Sequence, residues 1–156
     1  MLKVGDLARD FTLPDQNRQL RSLSEFKGKK LVLAFFPGAF TSVCTKEMCR
    51  FRDDLAKLKQ LNADVIGVSV NDPFTLKAFD DANKLGFPLL SDHTRSVSRE
   101  YSGLHEDFVG LKGYSVAKRA VFVLDSSQRI RYAWISDNPG VEPNYAEINK
   151  ALSEIT

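Results

Sequence analysis

Leu31-Val32-Leu33-Ala34-Phe35-Phe36-Pro37-Gly38-Ala39-Phe40-Thr41-Ser42-Val43-Cys44 orders the reading of this chain. The apolar run Leu31–Phe36 predicts a buried strand, and Pro37-Gly38 ends it. A helix is expected to begin within 41–44 and to run to about Leu61. Met48, Phe51, Leu55, Leu58 and Leu61 recur along it at helical spacing, with charges between them. Cys44 therefore falls at a strand-to-helix turn, in the first helical turn. Backbone N–H groups there lack intrahelical partners, and the helix dipole favours an anion. A thiol so placed tends to ionise near neutral pH, and the thiolate is the nucleophile. A small buried hydrophobe is the alternative role for such a cysteine.

Outward from this stretch, strand and helix patterns alternate. Phe11-Thr12-Leu13 and Gln19-Leu20-Arg21 flank a turn at 14–18 and read as an N-terminal hairpin. Asp64–Val70 is a strand. Asn71-Asp72-Pro73 starts a helix that ends by Gly86, since proline suits the first helical turn. Phe87–Leu90 is a short extended piece, and 94–101 a short helix. Arg119–Leu124 and Ile130–Ile135 are strands joined by a hairpin at 125–129. Asn144–Ile155 closes as a helix. The pattern predicts an α/β fold with a sheet covered on both faces. Residues 102–118 show no period, carry Gly103, Gly110, Gly113 and His105, and read as a functional loop or a hidden short helix.

At 156 residues, one domain spanning 1–156 is expected. The formal net charge is +2 with acids and bases intermixed, so no basic cluster argues for nucleic acid or a membrane surface. Residues 1–6 lack the apolar core of a signal peptide, and no apolar run approaches a membrane span. The expectation is a cytoplasmic protein, where close cysteines point to redox chemistry or metal binding more than to a structural bridge. His93 and His105 form no close ligand pattern with the cysteines, so no metal is expected. Cys-x-x-Cys, phosphate-loop, dinucleotide and Gly-x-Ser-x-Gly signatures are missing from the sequence.

Cys44 and Cys49 are the only two cysteines. Five residues apart in one helix, their Cα atoms stand about 8–9 Å from each other. A disulfide needs less than about 7 Å. A bond between them therefore requires the first turns to unwind, which suits a transient disulfide. Thr41 offers a neighbouring hydroxyl. Pro37 fixes its own backbone, rigidifies the turn and is placed to shield the sulfur.

Pro37-x-x-x-Thr41-x-x-Cys44 resembles the signature of the peroxiredoxins, thiol peroxidases with a thioredoxin-like fold. The likeness extends to Asp10–Leu13, Phe87–Asp92 and Lys118–Asp125. The Cys44–Cys49 spacing resembles the bacterioferritin comigratory protein, or Q-type, branch. The long loop and Asp137–Tyr145 are closer to the one-cysteine alkyl hydroperoxide reductase E branch. The resemblance implies a central mixed sheet flanked by helices. It implies Cys44 as the peroxidatic nucleophile, Thr41 orienting the peroxide, Pro37 covering the thiolate and Arg119 stabilising it. Glu47 would hold that arginine, and Cys49 would resolve the sulfenic acid as an intramolecular disulfide. Substrates would be hydrogen peroxide and organic hydroperoxides, and the reductant thioredoxin or a similar dithiol. No cofactor is implied, and both monomers and homodimers occur in the family. Without the resemblance, Arg119 reads as a surface strand residue and Glu47 as a solvated first-turn acid. The alternatives are a one-cysteine peroxidase resolved by an external thiol, or a non-enzymatic redox sensor or holdase.

Overall fold

The elements follow in order as β1 (Thr12–Pro14), β2 (Leu20–Ser22), β3 (Lys30–Phe35), α1 (Ser42–Asp53), α2 (Leu55–Gln60), β4 (Ala63–Ser69) and α3 (Pro73–Asn83). Then come β5 (Leu89–Ser91), α4 (Ser96–Tyr101), β6 (Leu104–His105), β7 (Val116–Ala117), β8 (Ala120–Leu124), β9 (Ile130–Ile135) and α5 (Tyr145–Ser153). The computed structural model describes residues 1–155; Thr156, the last residue of the expected domain, lies outside the described residues.

The central sheet has five strands in the order β5-β4-β3-β8-β9. β3 lies parallel to β4 and antiparallel to β8, so the sheet is mixed. The alternation read in Leu31–Phe36 divides the core in two. Val32, Ala34 and Phe36 face one side with Met48 and Phe51 of α1, Leu58 of α2, Phe79 of α3 and Leu152 of α5. Leu31, Leu33 and Phe35 face the other with Tyr101 of α4 and Leu13 and Leu23 from the N-terminal segment. Successive strand side chains point to opposite faces, which produces both layers from one apolar run.

Gly67 of β4 shows how closely α1 approaches the sheet. A Cβ there would stand 2.9 Å from Leu89 Cδ2, 3.2 Å from Phe36 Cε1 and 3.3 Å from Met48 Sδ. The missing side chain thus sets the height of α1, and with it that of Cys44.

The β1–β2 hairpin forms as expected, one residue later than the sequence suggested, and it covers a sheet edge. Asp15 bridges to Leu90 of β5. Gln16, almost fully buried, accepts from Leu89 N at 2.9 Å and donates to the Phe87 carbonyl at 3.1 Å. These contacts occupy backbone groups of the edge strand that would otherwise be open to pairing.

Three expectations need correction. The helix expected to run to about Leu61 bends at Asp54, which sits at φ −90°, ψ 0° between α1 and α2. Its carboxylate accepts from Arg50 Nε at 2.8 Å. Aspartate competes for local hydrogen bonds and interrupts helices more readily than the residues around it. The unpatterned 102–118 segment does hide a short 3-10 turn, at Phe108–Gly110, but that turn sits at the tip of a β6–β7 ladder that was not expected. Strands of two residues are too short to show a period. Finally, Arg119 stands one residue ahead of β8 rather than inside it.

Candidate active site

β3 delivers the chain to a turn whose shape is held from the neighbouring strand. Asn71, just after β4, accepts from Ala39 N at 2.9 Å and from Ser69 Oγ at 2.8 Å. Phe40 takes a left-handed φ of 66°, and its ring meets Phe79 edge-on at 5.3 Å. Thr41 is the N-cap of α1, but its hydroxyl does not cap the helix. It donates instead to the Gly38 carbonyl at 2.8 Å. The hydroxyl oxygen keeps its lone pairs for another donor. No acidic residue stands in the first turn of α1 to neutralise its positive end.

Cys44 lies in that first turn and is 1% exposed. Arg119 reaches it from the position just ahead of β8. Its Nη2 donates to Cys44 Sγ at 3.2 Å and to the Pro139 carbonyl at 2.8 Å. Its Nη1 donates to Glu47 Oε1 at 2.7 Å. Arg119 is 1% exposed and Glu47 0%, so the surface readings of both residues are overturned. Glu47 follows Cys44 by three positions, which puts both on the helix face that meets Arg119. The guanidinium is thereby fixed in plane by two oxygens and aimed at the sulfur. A charge-assisted donor in a water-poor site stabilises negative charge there far more than it would in water.

Glu47 carries an opposing strain. Burial raises its carboxyl more than the Arg119 guanidinium lowers it, the negative charge of Glu142 adds to the rise, and the balance lies at about 7. Oε2 of Glu47 and Nε of Arg119 are both shielded from solvent without a hydrogen-bond partner among the described residues. The guanidinium is what favours the anionic carboxyl against the effect of burial.

Cys49 lies on the same continuous helix, as the sequence predicts, and both thiols are free. It is rotated about 140° from Cys44 around the axis. Its Sγ donates to Asn83 Oδ1 at the end of α3, 3.6 Å away. The structure thus brings Cys44, Arg119 and Glu47 together, with Thr41 and Pro37 at the same opening, and leaves Cys49 apart. The far end of α1 is anchored by Arg52, which donates to the last carbonyl of α3, that of Asn83, at 2.7 Å.

A cavity of about 280 Å³ opens onto the sulfur, lined by Pro37, Thr41, Ser42, Val43, Cys44, Phe108, Val109, Arg119, Pro139 and Gly140. Sequence reasoning flagged the 102–118 and 137–145 segments but not Phe108, Val109 or the Pro139 carbonyl as parts of the site. It also took Asn71 only as a helix start. His105, within the 102–118 segment, is half-buried and stacks on Phe108 at 5.7 Å. Burial lowers its pKa, and the positive charges of Lys118 and Arg119 lower it further.

Comparison with known proteins gives this geometry a context. The sequence profile of the AhpC/TSA family matches residues 4–133. Peroxiredoxin Bcp of Escherichia coli is 35% identical over 85% of each chain. The chloroplastic peroxiredoxin Q of Triticum aestivum is 40% identical over 83% of this chain and 58% of its own length. The crystal structure of peroxidoxin BcpB from Mycobacterium tuberculosis superposes with a TM-score of 0.82 at 32% identity, covering 98% of this chain and 96% of that one. The mixed sheet flanked by helices is the thioredoxin-like fold of these neighbours.

Proposed function

Because this chain belongs to the AhpC/TSA family and is a thiol peroxidase of the peroxiredoxin kind, we propose that Cys44 is its peroxidatic residue. The thiolate attacks the outer oxygen of a hydroperoxide. An S–O bond forms, the O–O bond breaks, the sulfur is oxidised to a sulfenic acid, and water or an alcohol leaves. Arg119 stabilises the thiolate and the charge that moves along the O–O bond. The Thr41 hydroxyl orients the peroxide, and Pro37 covers the sulfur. Glu47 and the Pro139 carbonyl hold Arg119 in place. The observation that carries this reading is the 3.2 Å contact from Arg119 Nη2 to Cys44 Sγ, made by an arginine that is itself clamped by Glu47. A merely structural cysteine needs no buried guanidinium.

In the second half of the cycle, Cys49 attacks the sulfenic acid and forms a transient disulfide with loss of water. Thioredoxin or a similar dithiol then reduces it. Residues 1–156 act as one catalytic domain in the cytoplasm, as a monomer or homodimer. Among the described residues, no helix is long and apolar enough to cross a membrane. One observation favours a second reading, a one-cysteine cycle closed by an external thiol. Cys49 is turned away from Cys44 and bonded to Asn83.

Stopped-flow peroxide loss on two variants tests the assignment. Cys44→Ser is expected to lose turnover and first-equivalent reaction alike. Cys49→Ser is expected to consume the first equivalent rapidly and then stall with a dithiol reductant. The reverse pattern would exchange the two roles.

A further inference from the structure

We propose that Asn71 is a positioning residue for the peroxidatic step: it fixes the Gly38–Ala39 peptide and, through that peptide, the Thr41 hydroxyl that meets the hydroperoxide. This inference rests on Cys44 being the peroxidatic thiol.

Asn71 follows Ser69, the last residue of β4, by two positions. It is not among the residues that line the cavity over the sulfur, so it acts through other groups. Its Oδ1 accepts from Ala39 N at 2.9 Å. A backbone N–H can only donate, so this contact fixes which end of the side-chain amide faces the turn. Ser69, fully buried, sets the amide from the other side. Its Oγ donates to Asn71 Oδ1 at 2.8 Å and accepts from Asn71 N at 3.2 Å. The Gly38 carbonyl and the Ala39 N–H belong to one planar trans peptide, on which they point in opposite directions. With the N–H held by Asn71, the carbonyl is aimed the other way, and Thr41 Oγ1 donates to it at 2.8 Å.

A threonine at an N-cap ordinarily turns its oxygen to a backbone N–H of the first helical turn. Thr41 does not. Its one proton is committed to Gly38, and its lone pairs stay open to accept from the O–H of a hydroperoxide. That acceptor holds the terminal oxygen over Cys44 Sγ. The S–O bond forms there as the O–O bond breaks, and the leaving oxygen keeps the electron pair and takes a proton from solvent. The turn is also strained. Phe40, next after Ala39, takes φ 66°, a region that non-glycine residues hold only where their surroundings enforce it. The Asn71 bond enforces it from β4, and the Phe40–Phe79 contact at 5.3 Å does so from α3. Without the Asn71 acceptor, the Gly38–Ala39 peptide is free to turn over. The Thr41 hydroxyl is then free to swing to the helix and withdraw its lone pairs from the peroxide. Arg119 keeps its own partners, Cys44, Glu47 and the Pro139 carbonyl, so the thiolate keeps its stabilisation.

The test compares two reactions of Cys44: first-equivalent oxidation by hydrogen peroxide, followed by stopped flow, and alkylation by iodoacetamide, followed by peptide mass. Alkylation needs the thiolate but not the hydroxyl. The chains are wild type, Asn71→Ala, Asn71→Asp, Thr41→Val and Asn71→Ala/Thr41→Val. Asn71→Ala is expected to slow the peroxide reaction by about 10- to 100-fold, the cost of misplacing a group at the reacting centre, and to leave alkylation unchanged. Asn71→Asp keeps an acceptor in place and should restore most of the rate. Because Asn71 acts through Thr41, the double variant should be no slower with peroxide than Thr41→Val alone. Equal peroxide rates in wild type and Asn71→Ala, a parallel fall in both reactions, no recovery in Asn71→Asp, or losses that multiply in the double variant would overturn the proposal. If Asn71→Ala does not fold, Ser69→Ala, which removes the second support of the amide, carries the test. A loss confined to its peroxide rate supports the proposal, and any other pattern overturns it. Failure of the underlying assignment has a different signature: hydrogen peroxide leaves Cys44 of the wild-type chain reduced.

Discussion

Replacing Arg119 by methionine separates what the buried pair does for folding from what it does for catalysis. The side chain makes three hydrogen bonds, to Glu47, Cys44 and the Pro139 carbonyl, and Glu47 and Cys44, both buried on α1, cannot turn to solvent without opening that helix. Breaking a buried ion pair from one side costs roughly 3–5 kcal/mol. We expect the lower end, about 3 kcal/mol, because Glu47 can take up a proton rather than remain an unpaired anion; burial already raises it to about 7. That proton adds a pH signature. Above pH 7, the folded variant keeps a proton that the wild-type carboxyl has released, so the variant's deficit grows by up to about 1.4 kcal/mol per pH unit. Peroxide reactivity should fall by about 10²–10³, the usual loss on removing one preorganised donor from a reacting centre. Adding Glu47→Leu removes the orphaned carboxyl, and replacing both partners of a buried pair by apolar residues is often neutral. Urea unfolding from pH 6 to 8 and stopped-flow peroxide loss, run on wild type, Arg119→Met and Arg119→Met/Glu47→Leu, give the answer. The double variant should regain most of the stability and lose the extra pH slope, yet stay slow with peroxide. Recovery of the peroxide rate in the double variant would refute a catalytic role for Arg119. A single variant as stable as wild type at every pH would refute the buried pair.

Gly67→Ala should destabilise the fold by about 1–3 kcal/mol, because the new methyl meets Leu89, Phe36 and Met48 within 3.3 Å; equal urea midpoints would show that α1 is free to lift off the sheet. Glu47→Gln should change the pH dependence of stability. The wild-type carboxyl, raised from 4.5 to about 7, holds a proton in the folded state that the unfolded chain has lost between those values. The stability it lends is full below pH 4.5 and is lost as pH rises through about 7, by about 3 kcal/mol relative to the glutamine chain; parallel stability profiles would contradict this. Oxidation should speed hydrogen exchange over about Thr41–Arg50 and leave it slow from Phe51 onward, where the core and the Arg52–Asn83 bond hold α1. Unchanged protection together with a proven Cys44–Cys49 disulfide would mean that α1 need not unwind.

The elements nearest the site were the most legible in the sequence, because strong local signals coincide there. Six apolar residues from Leu31 to Phe36, a Pro-Gly break and a helical stripe from Met48 leave little choice for the position of Cys44. Its nearness to Arg119 is of another kind. The pair is separated by 75 positions, no periodicity links them, and only the family resemblance suggested it. The burial of Glu47 was hidden for a related reason. An acid in an early helical turn is ordinarily stable in solvent, and only a guanidinium arriving from the residue ahead of β8 makes the buried site tolerable. The Pro139 carbonyl acts through the backbone, which residue type does not reveal, and the Asn71 side chain accepts from Ala39 N, 32 positions away, a pairing that no local pattern shows. The same holds at the β6–β7 tip, where the left-handed Val109 contradicts its own local preference. The bend at Asp54 had a visible cause in the aspartate, but the apolar stripe continues across it and masks the break.

The central claim is that peroxide oxidises Cys44 first and that Cys49 then resolves it by unwinding the start of α1. Intact mass with peptide mapping, taken after one equivalent of hydrogen peroxide on the wild-type and Cys49→Ser chains, tests it most directly. The account predicts a loss of two hydrogens and a linked Cys44–Cys49 peptide in the wild-type chain, and one added oxygen on Cys44 in the Cys49→Ser chain. One oxygen retained on wild-type Cys44, with Cys49 still free, would contradict internal resolution; oxidation mapped to Cys49 while Cys44 stays reduced would contradict the claim as a whole.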